Sequence, residues 1–192
     1  IGAEGIVGLI TYMRTDSVHI AKEAQSAALD FITETYGADY VPAKPNVYKT
    51  KGSAQEAHEA IRPTDVNRTP EKMAKYLDND QLKLYTLIWK RFVASQMTQA
   101  IFQQETIEID ASGESCTHKY LFRTTATRNL FPGYLRVYSY KDEGEEEDVD
   151  SKLPPLVKGE GCTPDEFLLK QHFTEPPPRF SEATLVKELE AN

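Results

Sequence analysis

Apolar positions in the first hundred residues recur at helical spacing. Ile20, Ala24, Ala27 and Phe31 fall four, three and four apart. This predicts a helix with one apolar face, capped by Ser17 and ending at Tyr36 before Gly37. Residues 38–53 contain two prolines and a glycine and read as a loop. A short helix from Ala54 to Ile61 is expected next, stopped by Pro63. Two more helices are expected within residues 70–98. The second carries Leu82, Tyr85, Ile88, Trp89, Phe92 and Val93, a broad apolar face suited to a core.

The period changes after Thr98. Residues 105–110 (ETIEID) alternate, and Cys116 to Thr127 is rich in aromatic and β-branched residues. Both read as strands. Phe131-Pro132-Gly133 marks a turn, and Tyr134 to Tyr140 alternates again. Beyond further turn residues, Glu166 to Thr174 reads as another strand. Pro176-Pro177-Pro178 is a stiff, extended connection, and Ser181 caps a last helix with Glu182 at its positive end. The expected class is α+β. A helical unit covers residues 1–98, a β-rich unit 99–175, and a linker with the first helix of a third element 176–192. The last helix reaches Asn192 as though the chain were part of something longer.

Composition narrows the functional classes. The chain has 192 residues, 40% of them apolar, enough for a core, and 27% charged. It has no apolar run of the ~18 residues needed to span a bilayer, and its first residues lack the basic start of a signal peptide. Cys116 and Cys162 stand far apart, indicating neither a zinc site nor a disulfide framework. A reducing, cytoplasmic setting without membrane association is therefore expected. The net charge of −8 would disfavour a nucleic-acid partner, but residues 141–150 (KDEGEEEDVD) account for −6 of it. Such a block usually forms a solvated loop, so the global sign says little about local surfaces.

Two segments could carry chemistry. Residues 8–17 (GLITYMRTDS) are β-prone at first and lead into the expected helix. In an extended strand, Tyr12, Arg14 and Asp16 share a face. A phenol, a guanidinium and a carboxylate would then stand beside a helix start. Helix starts bind phosphate, and arginine grips it through two parallel hydrogen bonds. A tyrosine beside a bound phosphate can act as a nucleophile once a base or nearby cations help it to lose its proton. By residue pattern alone, packing plus a surface charge is the commoner meaning of such a cluster.

The second segment is residues 55–62 (QEAHEAIR). As a helix it places Gln55, His58, Glu59 and Arg62 on one polar face. A histidine there could hold a phosphate oxygen or relay a proton. A solvent-facing stripe of mutually paired charges is the plainer reading. The metalloprotease pattern fails because position 62 is Arg rather than His. No glycine-rich phosphate loop occurs, and no metal-ligand set is indicated.

The stretch GLITYMRTDS resembles the active-site segment of the type IA DNA topoisomerases, in particular bacterial topoisomerase I. AQEAHEAIRPTD resembles the second signature of the same family. LYTLIWKRFVASQM at 84–97 and PPPRFSEATLVKELE at 176–190 are further matches, in the family's order and spacing. Met13 before Arg14 fits bacterial topoisomerase I better than topoisomerase III or reverse gyrase, which tend to have Pro there. The resemblance implies that Tyr12 attacks a single-strand phosphodiester to form a 5′-phosphotyrosyl link, with Arg14 holding the scissile phosphate. Asp16 and His58 would align DNA or relay protons, and Arg62 and Arg179 would contact the strand. The helical part would be a winged-helix-like catalytic domain and the β-rich part a portion of the arch. The last helix would open the domain that grips single-stranded DNA.

The resemblance further implies magnesium held by a Toprim domain that precedes the tyrosine in the family, hence outside this chain, and no use of ATP. Expected partners are single-stranded and negatively supercoiled DNA and the other domains of the same monomeric enzyme. The fragment alone would not relax DNA. A non-enzymatic winged-helix DNA-binding module and a purely structural domain are the alternatives, and both leave Tyr12 without chemistry.

Overall fold

The computed structural model describes residues 5–13, 17–48, 58–112, 118–138 and 152–191. The expected acidic loop at 141–150 lies outside them. Two units divide the chain, Ile1–Pro155 and Leu156–Asn192.

The first unit is built around two helices. Helix α1 spans Lys22–Tyr36, and its end is set by Gly37, whose φ of 102° suits glycine and whose N–H returns to the Ile32 and Thr33 carbonyls. Its start differs from expectation. Ser17 is buried five residues before the helix, and its hydroxyl accepts the His19 N–H at 3.1 Å. The buried face of α1 runs through Ala28 and Ile32, while Ala27 is exposed. Of the expected stripe, Ile20 and Phe31 pack against the edge of the core, while Ala28 and Ile32 supply its buried centre.

The two helices expected within residues 70–98 are present. Helix α2 (Pro70–Met73) is a single turn, and α3 (Asn79–Ser95) starts in a capping box. The Asp78 carboxylate accepts the Asp80 and Gln81 N–H groups at 3.0 and 2.9 Å, and the Gln81 side chain accepts the Asp78 N–H. Tyr85, Trp89, Phe92 and Val93 of α3 pack with Ala28 and Ile32 of α1 in one core. Phe31 meets Trp89 edge-to-face at 5.6 Å.

Two polar groups on this apolar face reach backwards. Trp89 Nε1 donates to the Val66 carbonyl at 2.9 Å, and Tyr85 Oη to the Arg68 carbonyl at 2.6 Å. They fasten the 66–68 segment to α3, and with it the residues just before it.

Burial pushes the Tyr85 phenol up to about 12, with Arg68 lowering it and Asp65 raising it to lesser extents. Ionisation is harder folded than unfolded, so the contribution is intact below about pH 10 and is lost as pH rises through about 12. Tyr85→Phe is expected to lower stability at pH 7 by about 1 kcal/mol through the lost hydrogen bond. It should also remove an alkaline destabilisation of roughly 2 kcal/mol. Urea unfolding of both proteins at pH 7, 9 and 11 checks this. Parallel pH profiles would refute it.

An antiparallel ribbon follows α3. Strand β1 (Ile101–Ala111) pairs with β2 (Tyr120–Phe131), with Glu108 opposite Arg123 and Thr106 opposite Thr125. Arg123 Nε donates to Glu108 at 2.9 Å. β1 is longer than the alternation indicated, and β2 begins at Tyr120 and runs four residues past the expected end at Thr127. The expected third strand, Tyr134–Tyr140, is corrected over its described residues: Gly133–Arg136 form a 3₁₀ turn. Val137 and Tyr138 then fold back onto the helical core, where Tyr138 Oη accepts a 2.7 Å bond from Arg91 of α3.

In the second unit, the strand expected at Glu166–Thr174 does not form. The segment is exposed and irregular, without the ladder a strand requires. Helix α4 (Glu182–Ala191) is present as expected, and the Ser181 hydroxyl caps it by accepting the Thr184 N–H at 3.2 Å.

Candidate active site

The two segments singled out in the sequence lie side by side. Residues 8–11 run antiparallel to residues 60–64, with Ile10 opposite Pro63 in an isolated bridge. Thr11 N–H donates to the Arg62 carbonyl at 2.9 Å, and Thr64 N–H to the Leu9 carbonyl at 3.0 Å. These two bonds flank the Ile10–Pro63 pair, which exchanges none itself, so proline is tolerated there without the loss of a rung. Threonine hydroxyls add rungs. Thr64 Oγ1 donates to the Gly8 carbonyl at 2.8 Å, and Thr11 Oγ1 to the Ala60 carbonyl at 2.8 Å while accepting the Arg62 N–H at 3.0 Å.

Ala60 ties both ends of the stretch that carries the tyrosine. Its carbonyl takes the Thr11 hydroxyl, and its N–H donates to the His19 carbonyl at 2.7 Å. The backbone bonds made by Ala60 and Arg62 explain why the helix expected from Ala54 to Ile61 is wrong over residues 58–61. These groups pair across the chain instead of along it, and residues 58–61 are not helical. The polar helical face of His58, Glu59 and Arg62 is therefore corrected too, while Gln55 lies outside the described residues.

Glu59 and Arg62 have defined employment. The Arg62 guanidinium donates to both Glu59 oxygens, at 3.0 Å each, and to the Pro63 carbonyl at 3.0 Å. Glu59 Oε1 also accepts the Ala21 N–H at 2.8 Å. A carboxylate thus sits at the start of α1, where the helix field favours negative charge. This replaces the expected Ser17 cap. Sequence reasoning missed this use of Glu59, although Glu-x-x-Arg spacing before a proline hinted at a local pair.

Tyr12 follows Thr11 directly and is 77% exposed. Its ring is open to a substrate rather than sealed in the core. Arg14 and Asp16 lie outside the described residues. His58 is half-buried, two residues before Ala60. Arg179 is exposed in the second unit.

A family model described as DNA topoisomerase matches residues 6–192. The chain belongs to the DNA topoisomerase family. It is 49% identical over 194 residues to DNA topoisomerase 1 of Xylella fastidiosa, an alignment covering 99% of this chain and 23% of that protein. It is 48% identical over 190 residues to DNA topoisomerase 1 of Campylobacter jejuni, covering 98% of this chain and 25% of that one. Full-length topoisomerase I from Thermotoga maritima matches in structure with a TM-score of 0.66 and 34% identity, over 100% of this chain and 29% of that chain. The chain therefore spans about a quarter of the length of the curated relatives it matches.

As a topoisomerase segment, the chain mixes helix and strand. Among the described residues no three His, Cys, Asp or Glu side chains group to hold a metal ion. Glu59 is already engaged by Arg62 and α1. No described helix is long and apolar enough to cross a membrane.

Proposed function

We propose that this chain is the tyrosine-bearing part of a bacterial type IA DNA topoisomerase, which breaks and rejoins one DNA strand without ATP. One observation supports it most: two segments about 50 residues apart, each resembling a family signature, are hydrogen-bonded together beside an exposed tyrosine.

In this reading the Tyr12 phenol oxygen attacks the phosphorus of a single strand. A bond forms between phenol oxygen and phosphorus, and the bond from phosphorus to the 3′ oxygen breaks, freeing a 3′-hydroxyl. After another strand passes, that hydroxyl attacks back and restores the phenol. One ester replaces another at each step, so no external energy source is required. Arg14 holds the phosphate and offsets developing charge. Asp16 and His58 align the strand or relay protons. Arg179 is a further contact to the strand. Arg62, occupied by Glu59, contributes by shaping the backbone that faces the tyrosine.

Residues 1–98 form the winged-helix-like catalytic domain in this proposal, the β1–β2 ribbon belongs to the arch within 99–175, and residues 176–192 lead into the strand-gripping domain. Magnesium is bound elsewhere in the longer, monomeric cytoplasmic enzyme. Relaxation of negatively supercoiled DNA belongs to that longer protein.

The test is covalent trapping. The full-length protein is mixed with a 5′-unlabelled, internally labelled single strand and quenched with detergent, and the adduct is digested and mapped by mass spectrometry. A nucleotide esterified to Tyr12 is expected. An adduct on another residue, or none, would overturn the assignment.

A further inference from the structure

We propose that Thr11 is a positioning residue for strand cleavage, acting through its hydroxyl on the backbone from which Tyr12 projects. This rests on the reading of Tyr12 as nucleophile.

With 77% of Tyr12 exposed, little packing is available to hold its ring. The placement of its phenol oxygen must then depend on where the backbone starts the side chain. The last anchored residue before Tyr12 is Thr11, which is half-buried and makes three short bonds to the opposing segment. Its N–H goes to the Arg62 carbonyl at 2.9 Å, and its hydroxyl sits between the Ala60 carbonyl at 2.8 Å and the Arg62 N–H at 3.0 Å. The hydroxyl donates once and accepts once, using both roles in one place.

In a regular antiparallel pair the Arg62 N–H would return to the Thr11 carbonyl; here the Thr11 hydroxyl accepts it instead, so the side chain supplies the bond that completes the pairing. The opposing segment is itself tied to α3 through Val66 and Arg68. A continuous path of hydrogen bonds and covalent chain thus runs from the core to the peptide before Tyr12. Loss of the hydroxyl leaves the Ala60 carbonyl and Arg62 N–H short of a partner and lets the Thr11–Tyr12 peptide shift. A misplacement of about 1 Å can slow a positioned reaction on the order of 100-fold without weakening substrate binding.

The experiment measures single-turnover cleavage and strand affinity in the full-length protein carrying Thr11→Val, Thr11→Ser or Tyr12→Phe. Thr11→Val keeps the shape and removes both hydroxyl bonds. It is expected to slow cleavage about 10- to 100-fold with affinity within about threefold of the parent. Thr11→Ser keeps the hydroxyl and is expected to cleave within about threefold of the parent rate. Should Thr11→Val fail to fold, Thr11→Ala against Thr11→Ser makes the same comparison.

Parent-like cleavage by Thr11→Val overturns the proposal. So does a Thr11→Ser protein as slow as Thr11→Val, because the retained hydroxyl would then fail to preserve the rate. A rate loss matched by an equal loss of affinity also overturns it, because the hydroxyl would then act on binding or general integrity. Tyr12→Phe separates the two levels. An adduct surviving in that variant sinks the nucleophile reading itself, whereas its loss beside a fast Thr11→Val protein sinks only the role of Thr11.

Discussion

Tyr12→Phe in the full-length protein is expected to abolish covalent capture of a labelled single strand and to leave strand binding nearly intact. The substitution removes one oxygen from a ring that is 77% exposed. Little packing is lost, so stability should change by no more than about 0.5 kcal/mol. The chemistry loses its nucleophile altogether, and removing a residue of that kind lowers turnover by at least about 10⁴-fold. Affinity is a separate quantity, dominated by phosphate contacts from cations, and it should fall with salt in parallel for both proteins. Denaturing gels of quenched reactions check the adduct, and titrations at two salt concentrations check the binding. An adduct that persists would remove Tyr12 from the reaction. Loss of binding along with cleavage would make the phenol a contact to the strand.

How far this site was legible in the sequence depends on which residues are considered. The two signatures were visible as strings, and Tyr12 stood out because of them rather than through any periodicity. Their meeting was not visible. The segment around His58 has ordinary helical composition, but its backbone is claimed by Thr11 and His19, residues about 40 to 50 positions earlier. Local propensity is weak against such pairing. Another long-range bond, donated by the Ala21 N–H to Glu59, displaced Ser17 as the helix start.

Elsewhere one set of residues satisfied two periods. Tyr134, Leu135, Arg136, Val137 and Tyr138 alternate as a strand would. Yet Tyr134, Val137 and Tyr138 also fall at i, i+3 and i+4, and the structure uses that spacing to turn onto the core. Around Phe167 and Phe173 the apolar composition suits a strand, but composition supplies no partner, and none of the described backbone there joins a ladder. Long amphipathic elements such as α3 were readable because many positions agreed on one face. Where one residue decided, contacts distant in sequence made the choice.

Gly133 is such a deciding residue, and Gly133→Ala is expected to be the most damaging small substitution in the first unit. It stands where β2 ends and the chain turns back to the helical core. Here Tyr134 N–H donates to the Thr98 carbonyl at 2.9 Å, while Thr98 N–H donates to the Tyr40 carbonyl at 2.9 Å. The φ of Gly133 is 49°, and an added Cβ would lie 2.5 Å from both the carbonyl carbon and oxygen of Gln99 and 2.6 Å from the Thr98 oxygen.

The atoms in the way are backbone at the junction of α3 and β1, so no side chain can rotate aside. Left-handed backbone costs about 1 kcal/mol for alanine, and the forced separation adds roughly 2–4 kcal/mol more. Gly37→Ala is the informative control: its φ of 102° also disfavours alanine, but nothing lies within 4 Å of an added Cβ. Gly37→Ala is expected to cost about 1–3 kcal/mol from backbone strain alone. Denaturant unfolding of the two variants should place Gly133→Ala below Gly37→Ala. Equal midpoints would mean that the backbone at Thr98 and Gln99 yields, and the joint between helices and ribbon would then be softer than its packing implies.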